Sequence, residues 1–317
     1  MNDLPTIDDV RAAAHRISGI AHRTPVITSR SLNERFGAEL YFKCENLQRA
    51  GAFKFRGACN AVNAAPLEAL HAGVATHSSG NHAGALSLAA KLSGVTAHIV
   101  MPEDAPEVKK QAVAGYGARI VYCPPTLASR ESTLAEVVRE HNAYVIHPYD
   151  NRHVIAGQGT AALEMLEDIP ALDTLIAPVG GGGLLSGTAV TAAALAPAVT
   201  VIGAEPDEAD DAMRSLRAGH IIPVEQTTTI ADGLRTSLGE RNFVLLSMHA
   251  VEIVTASEDA IVQAMRLIWE RLKVVIEPSA AVALAILLEK RDRVPGQKIG
   301  VILSGGNVDL DRLPWNR

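Results

Sequence analysis

The chain is poor in cysteine: Cys44, Cys59 and Cys123 are odd in number, widely spaced and without a CxxC pair. Neither a disulfide framework nor a zinc site is suggested, and reduced thiols in a cytoplasmic protein are expected. Long hydrophobic runs are also missing. No stretch approaches the ~18 consecutive apolar residues of a membrane span, because charges and glycines cut the alanine-rich segments. The opening MNDLPTIDDV carries acids where a signal peptide would carry basic residues ahead of an apolar run, so neither export nor a membrane partner is expected. A basic stripe is absent as well. Lys plus Arg number 29 against 35 for Asp plus Glu, a net charge of −6, so nucleic acid is not an expected partner.

What is present describes an ordered protein. Of 317 residues, 48% are apolar and 20% charged, which excludes a disordered chain, and the length corresponds to two domains. Thr6 and Asp9 have capping-box spacing ahead of apolar Val10, Ala13, Ala14 and Ile17, which predicts a helix start. Short apolar or β-branched runs follow at residues 39–43, 73–76, 95–101, 119–122, 143–146, 174–179, 199–204, 251–255 and 298–303. Helical patterns fall between most of them, at 81–92, 129–141, 184–194, 257–271 and 279–290. Such alternation predicts an α/β fold with mostly parallel sheets flanked by helices. So many strands exceed a single core, so two doubly wound lobes are expected, joined by more than one crossing of the chain. In open α/β sheets ligands sit beyond the carboxyl ends of the strands, and the loops there are the places to look for chemistry.

Glycine numbers 25, close to the ~7% average, yet it is concentrated in a few loops. An apolar strand from Thr174 enters Gly180, Gly181, Gly182 and Gly183 and then a helix. Successive backbone N–H groups free of side chains, with a helix dipole behind them, make a phosphate cradle, whereas a plain turn needs one or two glycines. No GK[ST] follows, which excludes a P-loop. A dinucleotide fingerprint stays open: Gly181-x-Gly183-x-x-Ser186 has serine for its third glycine, and Glu205 ends the next strand where a ribose-binding acid would stand.

Three other segments bear on that choice. Lys54 lies between Phe53 and Phe55, and a desolvated lysine is a nucleophile able to form a Schiff base, although a surface lysine with a packed stem fits the same residues. Ser78-Ser79-Gly80-Asn81-His82 follows a predicted strand and opens a helix; it suits a small carboxylate, or is an ordinary cap. Ser304-Gly305-Gly306-Asn307 ends an apolar strand and alone could be a turn.

Together the segments FKFRGA, SSGNH, VIAGQGT, GGGGL, TIADG, IEPSA and SGGN, in that order, resemble the serine/threonine dehydratase and serine racemase family. These are pyridoxal-phosphate enzymes of the tryptophan synthase β-subunit fold type, and the resemblance runs from Thr24 to Asn307. It implies a large cofactor-binding domain from residues 1–70 and 150–317 and a small mobile domain from 71–149, with pyridoxal 5'-phosphate in the cleft between them. It further implies that Lys54 carries the cofactor, Phe53 packs near its ring, Asn81 contacts the ring hydroxyl, and the four glycines with Leu184 hold the phosphate. Ser304 would face the pyridine nitrogen, with Gly233 and Glu277 completing the cofactor contacts. A small amino-acid substrate would be held by Ser78, Ser79, Gly80, Asn81 and His82. Lys54 and Ser79 are the implied catalytic pair.

The resemblance also implies a homodimer and a divalent cation, Mg²⁺ or alternatively Ca²⁺ or Mn²⁺, on Glu205, the Ala209 carbonyl and Asp211, where an acidic helix start is the plainer reading. It leaves less room for Glu205 as a ribose ligand. The expected activity is an ammonia-lyase that dehydrates L-serine, L-threonine or 3-hydroxyaspartate. A serine or aspartate racemase, a non-catalytic ligand-binding paralogue and a nucleotide-dependent oxidoreductase are the alternatives. The chain departs from its relatives at Gly84, where glutamine is frequent, and at Ala50 and Ala52, where threonine and serine are. Arg130 matches a position on the substrate side, where a cation favours a second carboxylate; a solvated helix arginine is the other reading.

Overall fold

The computed structural model describes residues 3–78, 80–105, 107–224 and 226–316, with only the backbone of Leu127. The described strands are β1 (Val26–Ile27), β2 (Glu39–Cys44), β3 (Val74–His77), β4 (Ala97–Pro102), β5 (Arg119–Cys123), β6 (Tyr144–Val145), β7 (Thr174–Pro178), β8 (Thr200–Pro206), β9 (Glu252–Ala256) and β10 (Lys298–Leu303). They form two sheets. A six-stranded one runs β1-β2-β10-β7-β8-β9 and a four-stranded one runs β5-β4-β3-β6. Every pairing is parallel except that of β1 with β2. Strands β4 and β7 are buried along their whole length, as strands covered by helices on both faces must be.

Local chemistry sets the element ends. The N–H of Thr6 donates to Oδ2 of Asp9 at 2.8 Å, opening the helix Ile7–Ile17 with the expected box. Pro278 occupies the first turn of the helix Pro278–Glu289, where its missing N–H has no intrahelical acceptor to lose. That helix is apolar all round: its residues from Ala280 to Ile286 are 0% exposed, and it forms the centre of the large lobe.

Several elements depart from the sequence reading, the following three among them. The edge strand β1 is only two residues long and antiparallel, too short for any pattern. The motif VIAGQGT, residues 154–160, lies within a 17-residue helix, Arg152–Asp168, and the lysine-bearing segment continues as a helix, Lys54–Ala64. Glycines do not break the first because they sit where helices touch. A Cβ on Gly157 would lie 2.6 Å from Cα of Gly57, and one on Gly187 would lie 2.6 Å from the backbone nitrogen of Gly159. Backbones can approach that closely only without side chains. Among the described residues, no helix is long and apolar enough to cross a membrane.

In each sheet the strand order reverses once. Strands β7, β8 and β9 progress one way while β10 and β2 lie on the other side of β7; β3, β4 and β5 progress one way while β6 lies beyond β3. Crevices open at such reversals, at the carboxyl ends of the strands. The loops leaving β2, β10 and β7 and those leaving β3 and β6 line the same cavity.

Candidate active site

The cavity between the lobes holds about 550 Å³, the size of a site for a small cofactor and its substrate. Lys54, first residue of its helix, opens onto it. The preceding segment is pinned to the tail loop: Ala52 bridges Gly305, and the N–H of Phe53 donates to the carbonyl of Ser304 at 3.0 Å. Lys54 Nζ donates to the carbonyl of Pro148 at 3.0 Å and lies 5.1 Å from the ring centre of Phe53 and 5.9 Å from that of Tyr149. Burial lowers its pKa from 10.5 to about 8, against the opposing pull of Glu277. This lysine is therefore not the surface lysine that its sequence alone allows.

The four glycines are required by what lies behind them. A Cβ on Gly181 would lie 2.3 Å from Cγ of Tyr149, one on Gly180 would lie 2.9 Å from Cα of Leu234, and Gly182 has φ +92°. Asn242 Nδ2 donates to the carbonyl of Gly181 at 2.7 Å, and so does the N–H of Gly239 at 3.1 Å. The carbonyl is thus engaged away from the cavity, which Gly180 through Gly183 and Leu184 line. N–H groups in the first turn of the helix Gly183–Leu195 have no acceptor within it, so this end suits an anion.

On the floor, Asn81 Nδ2 donates to Oε1 of Glu277 at 2.5 Å, and Asn307 Nδ2 donates to Oδ1 of Asn81 at 3.0 Å. Burial raises Glu277 from 4.5 to about 7, an effect opposed chiefly by Lys109, and its Oε2 has no partner among the described residues. The N–H of Gly233 donates to Oγ of Ser279 at 2.9 Å. Ser304 is 3% exposed and faces the cavity.

Ser78, Gly80, Asn81 and His82 also line it, with the N–H of Gly80 donating to Oγ of Ser78 at 3.2 Å. Ser79 lies outside the described residues. His82 Nε2 is 3.3 Å from the carbonyl of Ile146, and burial pushes its pKa well down, so its ring is neutral and tied to the small lobe. Arg130 stands on the small-lobe wall near His77, whose pKa is lowered by burial and then by this guanidinium.

Glu205 and Asp211 lie outside the cavity lining, which removes Glu205 as a ribose ligand there. Both are fully buried. Glu205 accepts from the N–H groups of Ala212 (2.8 Å) and Met213 (3.0 Å), and Asp211 Oδ2 from that of Leu238 (3.1 Å). Asp211 Oδ1 has no partner among the described residues. Burial, then Asp211, pushes Glu205 well above the usual carboxylate range, and burial lifts Asp211 to about 7. Ala209 is buried in the turn between them. Among the described residues no three His, Cys, Asp or Glu side chains gather as a metal cluster.

Sequence reasoning missed Tyr149, Lys109 and Asp232. Tyr149 has no local signal beyond the glycine it packs on. Lys109 and Lys110 are equivalent in sequence, yet the fold buries the first, paired with Asp232, and turns the second outward to the carbonyl of Glu103 at 2.6 Å.

The profile of the pyridoxal-phosphate dependent enzyme family matches residues 17–305. The chain is 50% identical to a beta-hydroxyaspartate dehydratase of Paracoccus denitrificans, over 99% of each chain. It is 48% identical to an L-threo-3-hydroxyaspartate ammonia-lyase of Saccharomyces cerevisiae, over 98% of this chain and 95% of the other. The structure of maize serine racemase superposes with a TM-score of 0.95 at 45% identity, covering 98% of this chain and 96% of the other.

Proposed function

The chain belongs to the pyridoxal-phosphate dependent enzyme family, and on that premise we propose that it is a dehydratase that eliminates the β-hydroxyl of a small β-hydroxy amino acid, with a 2-oxo acid and ammonia as products. The observation that carries this reading is the amine of Lys54, desolvated to a pKa of about 8 in the cavity that the glycine loop also lines. Such an amine is a nucleophile toward an aldehyde and, when neutral, a base. The residues fit the cofactor: Gly180 to Gly183 and Leu184 for the phosphate, Phe53 and Asn81 for the ring, Gly233 and Glu277 beside it, and Ser304 for the pyridine nitrogen. Bound through Lys54, pyridoxal phosphate supplies an electron sink for the charge left when the Cα–H bond breaks.

The chain's own groups do the rest. The loop Ser78, Gly80, Asn81 and His82 orients the substrate carboxylate at a helix start. Lys54 Nζ takes the Cα proton. The departing β-hydroxyl leaves as water, the proton it needs being one that either Ser79 Oγ or the phosphate of the bound cofactor would supply. The resulting enamine hydrolyses to the oxo acid and ammonia. A neutral Ser304 hydroxyl cannot hold a proton on the ring nitrogen as a carboxylate would, which favours prompt loss of the β-hydroxyl over transamination. Arg130 on the cavity wall, together with two relatives named for 3-hydroxyaspartate, supports a substrate with a second carboxylate. Racemisation is the second reading, supported by the likeness to maize serine racemase: Ser79 would return a proton to Cα from the other face.

Glu205, Asp211 and the Ala209 carbonyl are proposed to hold a divalent cation, Mg²⁺ or in its place Ca²⁺ or Mn²⁺. Two buried carboxylates with raised pKa and one oxygen without a partner support a missing positive charge. The test offers L-serine, D-serine, L-threonine and both 3-hydroxyaspartate diastereomers to the holoenzyme, with and without Mg²⁺, and measures oxo acid and chirality. Oxo acid from at least one of them is expected; neither oxo acid nor inversion from any of them would overturn the reading.

A further inference from the structure

We propose that Lys109 is a positioning residue, a strut that holds the carboxylate loop of the small lobe at a set distance from the large lobe. The inference rests on the proposed carboxylate site at Gly80. Lys109 belongs to the helix Glu107–Gly115, and its side chain is 7% exposed although it ends in a charge. Its ammonium pairs with Asp232, which opens the large-lobe turn Asp232–Leu234 on the rim of the cavity. Along the way the side chain runs beneath the loop: a Cβ on Gly80 would lie 3.4 Å from Nζ, 3.5 Å from Cδ and 3.8 Å from Cε.

The distal half of this side chain therefore lies against Gly80, which leads into the helix Asn81–Leu92, while the ammonium at its tip grips the residue before Gly233, whose N–H is itself held by Ser279. Burying a lysine stem sacrifices rotamer freedom, and ordering of that kind is sustained only where packing and a counter-ion outweigh it. Lys110, one residue on, spans no lobe boundary and keeps to its own surface. With the strut in place, the N–H groups that open the helix Asn81–Leu92 meet a carboxylate at a fixed position relative to Lys54. Without it, the hydrogen bonds that tie the loop to the other lobe are, among the described residues, those of Asn81 with Glu277 and Asn307.

The experiment compares wild type, K109M, D232N and the conservative K109R as holoenzymes of measured cofactor content. Each is titrated with glycine, a non-reacting amino acid, by the change in visible absorbance, and assayed for KM and kcat. Hydrogen exchange of peptides covering residues 80–92 is followed without amino acid. K109M and D232N should weaken glycine binding and raise KM about tenfold, with cofactor content and kcat changed far less, and K109R should stay within about threefold of wild type. Exchange over 80–92 should be faster in the first two variants alone. Wild-type binding and exchange in K109M, or K109R behaving like K109M, overturns the strut. If wild type binds no glycine, the carboxylate-site reading fails, and the exchange comparison alone decides the strut.

Discussion

Asn81 and Glu277 meet across the cleft, the Nδ2 of one donating to Oε1 of the other at 2.5 Å, so that the first residue of a small-lobe helix is fastened to a buried acid of the large lobe. The amide of Asn81 is oriented by this contact and by Asn307, which donates to its Oδ1. An acid in such a place has a measurable signature.

Burial raises Glu277 from 4.5 to about 7, so the folded protein holds this proton more tightly than the unfolded chain does. Its contribution to stability is present below pH 4.5 and is lost as the pH rises through about 7. Unfolding free energies of wild type and Glu277→Gln, both without cofactor, should therefore diverge with pH. Relative to the variant, wild type is more stable at pH 5 than at pH 7.5. A difference independent of pH would show an ordinary carboxylate.

Lys54 reacts with an aldehyde only when neutral. With its pKa lowered from 10.5 to about 8, the cofactor-free protein should take up pyridoxal phosphate faster as the pH rises toward 8 and no faster beyond it. Stopped-flow absorbance gives the rate, and a rise continuing toward pH 10 would mean the amine is solvated. Lys54→Ala should retain no visible band at any pH once unbound cofactor has been removed.

Gly181→Ala places a methyl carbon 2.3–2.5 Å from three ring atoms of Tyr149. Relief requires the ring or the glycine loop to move, at ~1–3 kcal/mol, and cofactor affinity should fall at least about tenfold. Tyr149→Ala added to the same chain should recover much of the lost stability, because it removes the obstacle. Melting curves and cofactor titration check both statements.

Arg56, two residues beyond Lys54, is fully buried between two acids. Its guanidinium donates to Glu45 at 2.7 and 2.8 Å and to Glu164 at the same distances, while buried Lys43 reaches Glu164 at 2.6 Å. Arg56→Met leaves Glu45 charged in the core and should cost ~3–5 kcal/mol in denaturant unfolding. Glu34→Ala, which breaks a pair with exposed Arg30, should change stability by less than ~0.5 kcal/mol.

What the sequence determined by itself is local. Apolar runs at strand length alternating with helical patterns are enough for parallel sheets in two lobes. Glycine clusters at strand ends mark the loops at 180–183 and 305–306, and the motif order from FKFRGA to SGGN marks the family. Thr6 with Asp9 announces a helix start because both partners lie within one turn. The tertiary structure decided what depends on residues far apart in the chain. Lys109 rather than Lys110 is buried because Asp232 stands opposite it, 123 positions away. Gly157 and Gly159 belong to a helix because other backbones press against them. Tyr149 backs Gly181, Arg56 finds Glu45 and Glu164, and Asn81 finds Glu277, through contacts that no spacing along one segment encodes. Periodicity reports which face of an element is buried, whereas the identity of the partner on that face is set only when the lobes pack.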